Sequence, residues 1–195
     1  MRLFTALVPP ARALEAVRTA VDGGRRTAPG LRWAPEAEWH ITLVFLGEVG
    51  EERVPDLADA LGDAVAAHGP LSLAVRGWGA FPVPERASVL WAGVDGDTGA
   101  LGDLVRDLRE AAGSCGVRVE RRPYTPHLTV ARSSPARDLT GTVRGAGAPH
   151  GRGWRAREVH LLESRPGTTD RYRTARTWAL GWKPNPDPHS ERSTS

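Results

Sequence analysis

His40-Ile41-Thr42-Leu43-Val44-Phe45-Leu46-Gly47 sets a histidine and a threonine two residues apart, with apolar residues at i+1 and i+3. On a strand, successive side chains leave opposite faces. His40 and Thr42 then share one face, while Ile41 and Leu43 enter a core behind them. The run is rich in β-formers and is closed by glycine, which reads as a strand. The phrase returns as His127-Leu128-Thr129-Val130. There it follows Arg122-Pro123-Tyr124-Thr125-Pro126, whose prolines favour an extended entry. Two such strands can bring two imidazoles and two hydroxyls to one cleft. Counting on by strict alternation puts Phe45 on the core face, as packing. It puts Arg132 on the face opposite His127, so that only strand twist or a strand end brings it round.

Working outward, residues 2–8 read as a strand. Pro9-Pro10 open a helix to about Arg25, with Leu14, Val17 and Val21 on one face and Gly23-Gly24 as a breaker near its end. Residues 31–34 and 39–46 read as strands. Glu51 to His68 reads as a helix with Val54, Leu57, Leu61 and Val65 inward. Strands at 71–75 and 88–94 follow, joined by a connection in which Gly77-Trp78-Gly79 is a turn or strand end. Thr98 caps a third helix to about Ala112, with Leu101, Leu104, Val105 and Leu108 inward. Strands are expected near 117–121 and 127–132. Residues 133–153 read mainly as loop, with a short strand near Thr142, and 158–163 and 172–180 as the last two strands. Residues 1–182 form one domain of two lobes, each with one His-x-Thr strand. Residues 183–195, rich in Pro, Ser and charge, read as a disordered tail.

The chain has 195 residues, 40% of them hydrophobic and 25% charged, which suits one compact globular domain. Its single cysteine, Cys115, closes no internal disulfide and builds no structural zinc site alone. The apolar run from Leu3 to Val8 is stopped by Pro9-Pro10, too short for a membrane span, so no membrane association and a cytoplasmic setting are expected. The net charge of +3 hides an asymmetry. Residues 1–117 hold 11 Arg against 16 Asp and Glu, whereas 118–176 hold 13 Arg against 5. A basic second half favours polyanions. No glycine-rich phosphate loop of the Walker type is present.

Taken together, the blocks resemble the two-histidine (2H) phosphoesterase superfamily, and within it the RNA 2′,3′-cyclic phosphodiesterases known as LigT. The resemblance rests on Met1 to Leu7 as a first strand and on Leu31-Arg32-Trp33 with His40 to Val49 as a first motif block. Phe81-Pro82 with Val89 to Val94 resembles the central hairpin, and Arg122 to Arg132 the second block. It implies an α+β, two-lobed LigT-like fold, with pseudo-symmetric antiparallel sheets lining a central cleft and helices packed outside.

Hydrolysis of a cyclic phosphate needs two proton transfers on opposite sides of phosphorus, and two histidines can serve both. Residue chemistry leaves the pair symmetric. The resemblance assigns His40 as general acid to the departing 3′ oxygen and His127 as general base to water, giving a 2′-phosphate end. Thr42 and Thr129 would bind the phosphate, with Arg132 a further substrate contact. Tyr124 is a candidate for stacking on a base and equally for a structural anchor. Trp33, Trp39, Trp91 and Trp178 read as core or rim. His68, His150, His160 and His189 lack the motif and receive no catalytic role. No metal and no cofactor are expected. The expected partner is an RNA or oligonucleotide ending in a 2′,3′-cyclic phosphate, without an obligate protein partner. Two alternatives stand beside hydrolysis: 2′-5′ RNA ligation as its reverse, and a non-catalytic RNA-binding module.

Overall fold

The computed structural model describes residues 1–181 except 146 and 169. The expected tail at 183–195, with His189, lies outside the described residues. Among the described residues nine strands form one antiparallel sheet: β1 (Arg2–Leu7), β2 (Arg32–Trp33), β3 (Ile41–Glu48), β4 (Leu71–Phe81), β5 (Ala87–Gly96), β6 (His127–Arg137), β7 (Trp154–Ala156), β8 (Glu158–Ser164) and β9 (Tyr172–Ala179). The α-helices among the described residues are α1 (Ala11–Thr27), α2 (Val54–Ala66), α3 (Thr98–Ser114) and the short α4 (Thr140–Arg144).

The lateral order is β7-β4-β5-β6-β3-β1-β8-β9, with β2 added to β6. The two His-x-Thr strands are neighbours at the centre, and each begins a half of four strands. The halves join through a single pair, Ile41 opposite Leu128, the i+1 positions of the two motifs. An antiparallel pair is locally two-fold symmetric, so this join relates one motif to the other. The α2 and α3 helices pack on each other, α2 against β9 and α3 against β3, while α1 and α4 lie against β4. Their inward stripes follow the helical spacing of the sequence. Leu14, Val17 and Val21, then Leu57, Leu61 and Val65, then Leu101, Leu104, Val105 and Leu108, are all buried. They join Leu3, Leu7, Ile41, Leu43 and Leu128 in one core, so this face of the sheet is the covered one.

Several expectations are corrected. The alternation Val117, Val119 does not become a strand. Both edges of β6 are already taken, and the segment instead closes α3. Gly116 adopts φ +71, its N–H donates to Gly113 O, and Val117 N–H donates to Ala112 O. That is the Schellman pattern, for which glycine suits the left-handed position. The strand expected near Thr142 is the helix α4. β4 runs on to Phe81 through a bulge at Gly77, so Gly77-Trp78-Gly79 lies within a strand rather than ending one. β6 likewise extends to Arg137. α1 continues past Gly23-Gly24, since glycine in a helix costs only about 1 kcal/mol against a well-packed face.

Candidate active site

Ile41 and Leu128 are fully buried. Their register sets Thr42 across from His127 and His40 across from Thr129. All four side chains leave the uncovered face, and all four are partly exposed. The row continues across both halves. Thr42 faces Ala6, Ala6 faces His160, and His160 faces Thr177. In the other direction His127 faces Gly93, Gly93 faces Arg76, and Arg76 bridges His150. Directly opposed residues share a face, so His150 and His160 lie on opposite sides of His127 and Thr42 in the same row. A search for His-x-Thr cannot find them, because only the pairing of distant strands puts them there.

The two motifs also share an interruption. Against β1, Thr42 faces Ala6 but Val44 faces Thr5, which leaves Leu43 extra. Against β5, Thr129 faces Trp91 but Ala131 faces Leu90, which leaves Val130 extra. Both extra residues stand at i+3 of their motif. A bulge of one residue inverts the alternation beyond it. Phe45 therefore returns to the histidine face, 59% exposed, with its ring 5.8 Å from that of Phe4. This corrects the core position expected for Phe45. Arg132, at the same offset from His127, is exposed and returns to the histidine face in the same way. The amide freed by the first bulge is satisfied from below. Val44 N–H donates to Oγ1 of Thr5, a wholly buried threonine (3.1 Å).

Each histidine is held alike. His40 Nδ1 is 2.8 Å from Glu38 O, and His127 Nδ1 is 2.7 Å from Thr125 O, in both cases the carbonyl two residues earlier. A carbonyl accepts only, so Nδ1 carries the proton and Nε2 is left for other work. Each ring also sits between two aromatics. Phe4 and Tyr172 flank His40 at 4.9 and 5.0 Å. Phe81 and Trp91 flank His127 at 4.9 and 5.8 Å. A Cβ on Gly79, opposite Trp91 in the ladder, would collide with that indole, so only glycine leaves it room. Burial among these rings pushes His40 down to about 4, opposed by its backbone hydrogen bond and reinforced by the charges of His127, Arg132 and Arg171. His127 is lowered too, first by burial, with Arg132 and Arg122 adding to it against the bond to Thr125. Arg132 thus acts on both rings.

Tyr124 is largely buried, and its hydroxyl donates to Thr42 O across the join (3.0 Å). Burial raises its pKa. The tyrosine anchors the backbone of one motif to the approach of the other. His68 pairs with Asp107 (2.8 Å), away from the row. Trp39 is core, and Trp33, Trp91 and Trp178 are partly buried. Among the described residues, no group of three or more His, Cys, Asp and Glu could hold a metal ion, and no helix is long and apolar enough to cross a membrane.

This architecture has solved counterparts. The structure of Escherichia coli LigT complexed with 3′-AMP superposes with a TM-score of 0.75 at 25% identity, covering 93% of this chain and 98% of that one. TT0787 of Thermus thermophilus superposes at 0.72, with 25% identity and the same coverage. Among curated relatives, the RNA 2′,3′-cyclic phosphodiesterase of Geobacillus stearothermophilus is 35% identical over 129 residues, 66% of this chain and 41% of that protein. That of Thermus thermophilus is 36% identical over 141 residues, 68% of each. The match thus spans less than half of the Geobacillus protein and about two thirds of the Thermus one. The family profile described as the 2′-5′ RNA ligase superfamily matches residues 8–168. With that span matched and the paired motifs meeting at the centre of one sheet, the chain belongs to the 2′-5′ RNA ligase superfamily.

Proposed function

We propose that the chain hydrolyses RNA 2′,3′-cyclic phosphate ends to 2′-phosphomonoesters by two-histidine acid–base catalysis without a metal. The observation that carries this reading is the mirrored pair of imidazoles. Both are pinned through Nδ1 to a carbonyl at i−2, and their Nε2 atoms are left free on one sheet face. His127 Nε2 takes a proton from water as its oxygen attacks phosphorus. The bond from phosphorus to the 3′ oxygen breaks, and that oxygen takes the proton of His40 Nε2. The Thr42 and Thr129 hydroxyls donate to the non-bridging oxygens, and Arg132 offsets their growing charge. The names of the matched relatives support the substrate. The superfamily's name supports a second use of the same groups, in which a ribose hydroxyl replaces water and the ends are joined.

Burial lowers both rings from their ordinary value and so favours their neutral forms at pH 7 in the free protein. A phosphodiester anion between them opposes the effect of burial and restores a proton to His40. The kcat/KM profile should therefore be bell-shaped with its maximum on the acid side of pH 6.5, and the kcat profile should lie to the alkaline side of it. The test incubates the protein with a cyclic-phosphate-ended RNA in EDTA and identifies the product end. His40→Ala and His127→Ala should each lose about 10²–10⁴-fold in rate. A profile centred above pH 7, or near wild-type turnover by either variant, removes that histidine from its role. Binding without turnover favours the non-catalytic module.

A further inference from the structure

The row that contains His127 leads to a second feature, at the edge of the sheet. A hollow of about 470 Å³ lies against β4, β5 and β7, lined by Arg76, Arg155, Asp95 and Ser72 from the histidine face and by Trp154 and by Arg12 of α1 from the covered side. Arg76 belongs to the row itself: His127 faces Gly93, and Gly93 faces Arg76. Two strand spacings separate His127 from Arg76, on the order of 10 Å. Ser72 and Ala74 lie four and two residues before Arg76 on β4 and share its face. Asp95 faces Ala74, and Arg155 faces Ser72. The polar wall of the hollow therefore continues the histidine face outward.

Its charge is unbalanced. Three guanidinium groups meet one carboxylate, which pairs with Arg76 and leaves two positive charges over. Asp95 Oδ1 accepts from Gly96 N–H at 2.8 Å, while Oδ2 stands 3.9 Å from Arg76 Nε. The side chain of Arg76 is 46% exposed, and Arg155 is exposed. Opposite, beyond Thr42, the first half presents Phe4, Phe45 and Tyr172 around His40. One wall suits a base and the other a string of phosphates.

We propose that this hollow is a subsite for backbone phosphates of single-stranded RNA upstream of the reacting end, with Arg76 and Arg155 as principal contacts. It rests on the RNA reading given above, and it makes the chain a reader of polynucleotide ends rather than of cyclic mononucleotides. Arginine forks bind phosphate oxygens in pairs, and counterion release makes the attraction dependent on salt. Terminal phosphate chemistry at the histidines and upstream charge in the hollow are then separable.

The test uses Arg76→Gln/Arg155→Gln, which removes both charges at two accessible positions while keeping polar side chains. The probe is a fluorescent single-stranded RNA oligonucleotide ending in a 2′-phosphate, with binding followed by anisotropy over a range of salt. At low salt its Kd should rise at least about tenfold, and the slope of log Kd against log salt should fall by about 1.4, roughly 0.7 for each lost phosphate contact. Turnover of a 2′,3′-cyclic mononucleotide should stay at the wild-type rate. Unchanged oligonucleotide affinity and slope overturn the subsite. Equal losses for oligonucleotide and mononucleotide also overturn it, since the arginines then act on the histidine centre. If the wild-type protein turns over neither substrate but binds RNA through these arginines, the proposed reaction fails and the subsite stands, with an unchanged thermal midpoint reporting the fold.

Discussion

Phe45 is the most exposed of the large hydrophobic side chains among the described residues. A phenylalanine at 59% exposure contributes little to a core, yet it stands on the histidine face beside Phe4. Stacking a base on an aromatic ring is worth about 1–3 kcal/mol by alanine substitution. Phe45→Ala should accordingly raise KM for a cyclic mononucleotide by between about 5- and 150-fold, by the rule of tenfold per 1.4 kcal/mol. kcat and the thermal midpoint should stay near wild type. A fall in the midpoint with KM unmoved would return Phe45 to the packing role that alternation gave it. Tyr124 differs in kind. Both aromatics neighbour the motifs, but the Tyr124 hydroxyl is spent on Thr42 O, so its ring is fixed and largely buried.

At the level of elements, the strands, helices and face of each His-x-Thr pair follow from spacing, but the positions beyond the motifs do not. Alternation is a parity rule, and one bulge reverses it. The signal was present as an apolar doublet after each threonine, Leu43-Val44 and Val130-Ala131, where strict alternation calls for one outward residue. All four side chains of those doublets are buried, and Phe45 and Arg132 come out on the far side. Spacing equally could not find a partner for Val117 to Arg121, because a strand needs a free edge as well as a pattern. The first bulge is stabilised by a named bond, from Val44 N–H to Thr5 Oγ1. Thr5→Val keeps the shape and removes the acceptor, leaving a buried amide unpaired at a cost of about 1–3 kcal/mol. Thr5→Ser keeps the acceptor and should retain most of the stability. Urea unfolding of both variants decides the point. Equal midpoints for valine and serine would mean that the bulge is held by packing alone.

Across the whole molecule, the sequence contains two copies of one motif, and the fold adds the relation between them. Ile41 opposite Leu128 is a long-range pairing that no local pattern encodes, and it brings His40, Thr42, His127 and Thr129 onto one floor. The burial of each imidazole among aromatics from distant strands comes instead from the pairings within its own half. Its cost appears in the dependence of global stability on pH. His40 titrates near 6.5 when unfolded and is pushed down to about 4 by burial in the folded protein. Between those values the unfolded chain holds a proton that the folded chain lacks. Stability therefore falls as pH drops through that window, and the contribution is wholly retained above it. The gap corresponds to roughly 3 kcal/mol from His40 alone. His127 and His160 are lowered chiefly by burial as well and act with the same sign. His40→Gln keeps a polar side chain of similar bulk without the titration. In urea unfolding at pH 7 and at pH 4, the wild-type protein should lose substantially more stability between the two conditions than His40→Gln does. If the two proteins lose the same amount, the His40 ring is not desolvated in the folded state, and the acid-shifted rate profile argued from that desolvation falls with it.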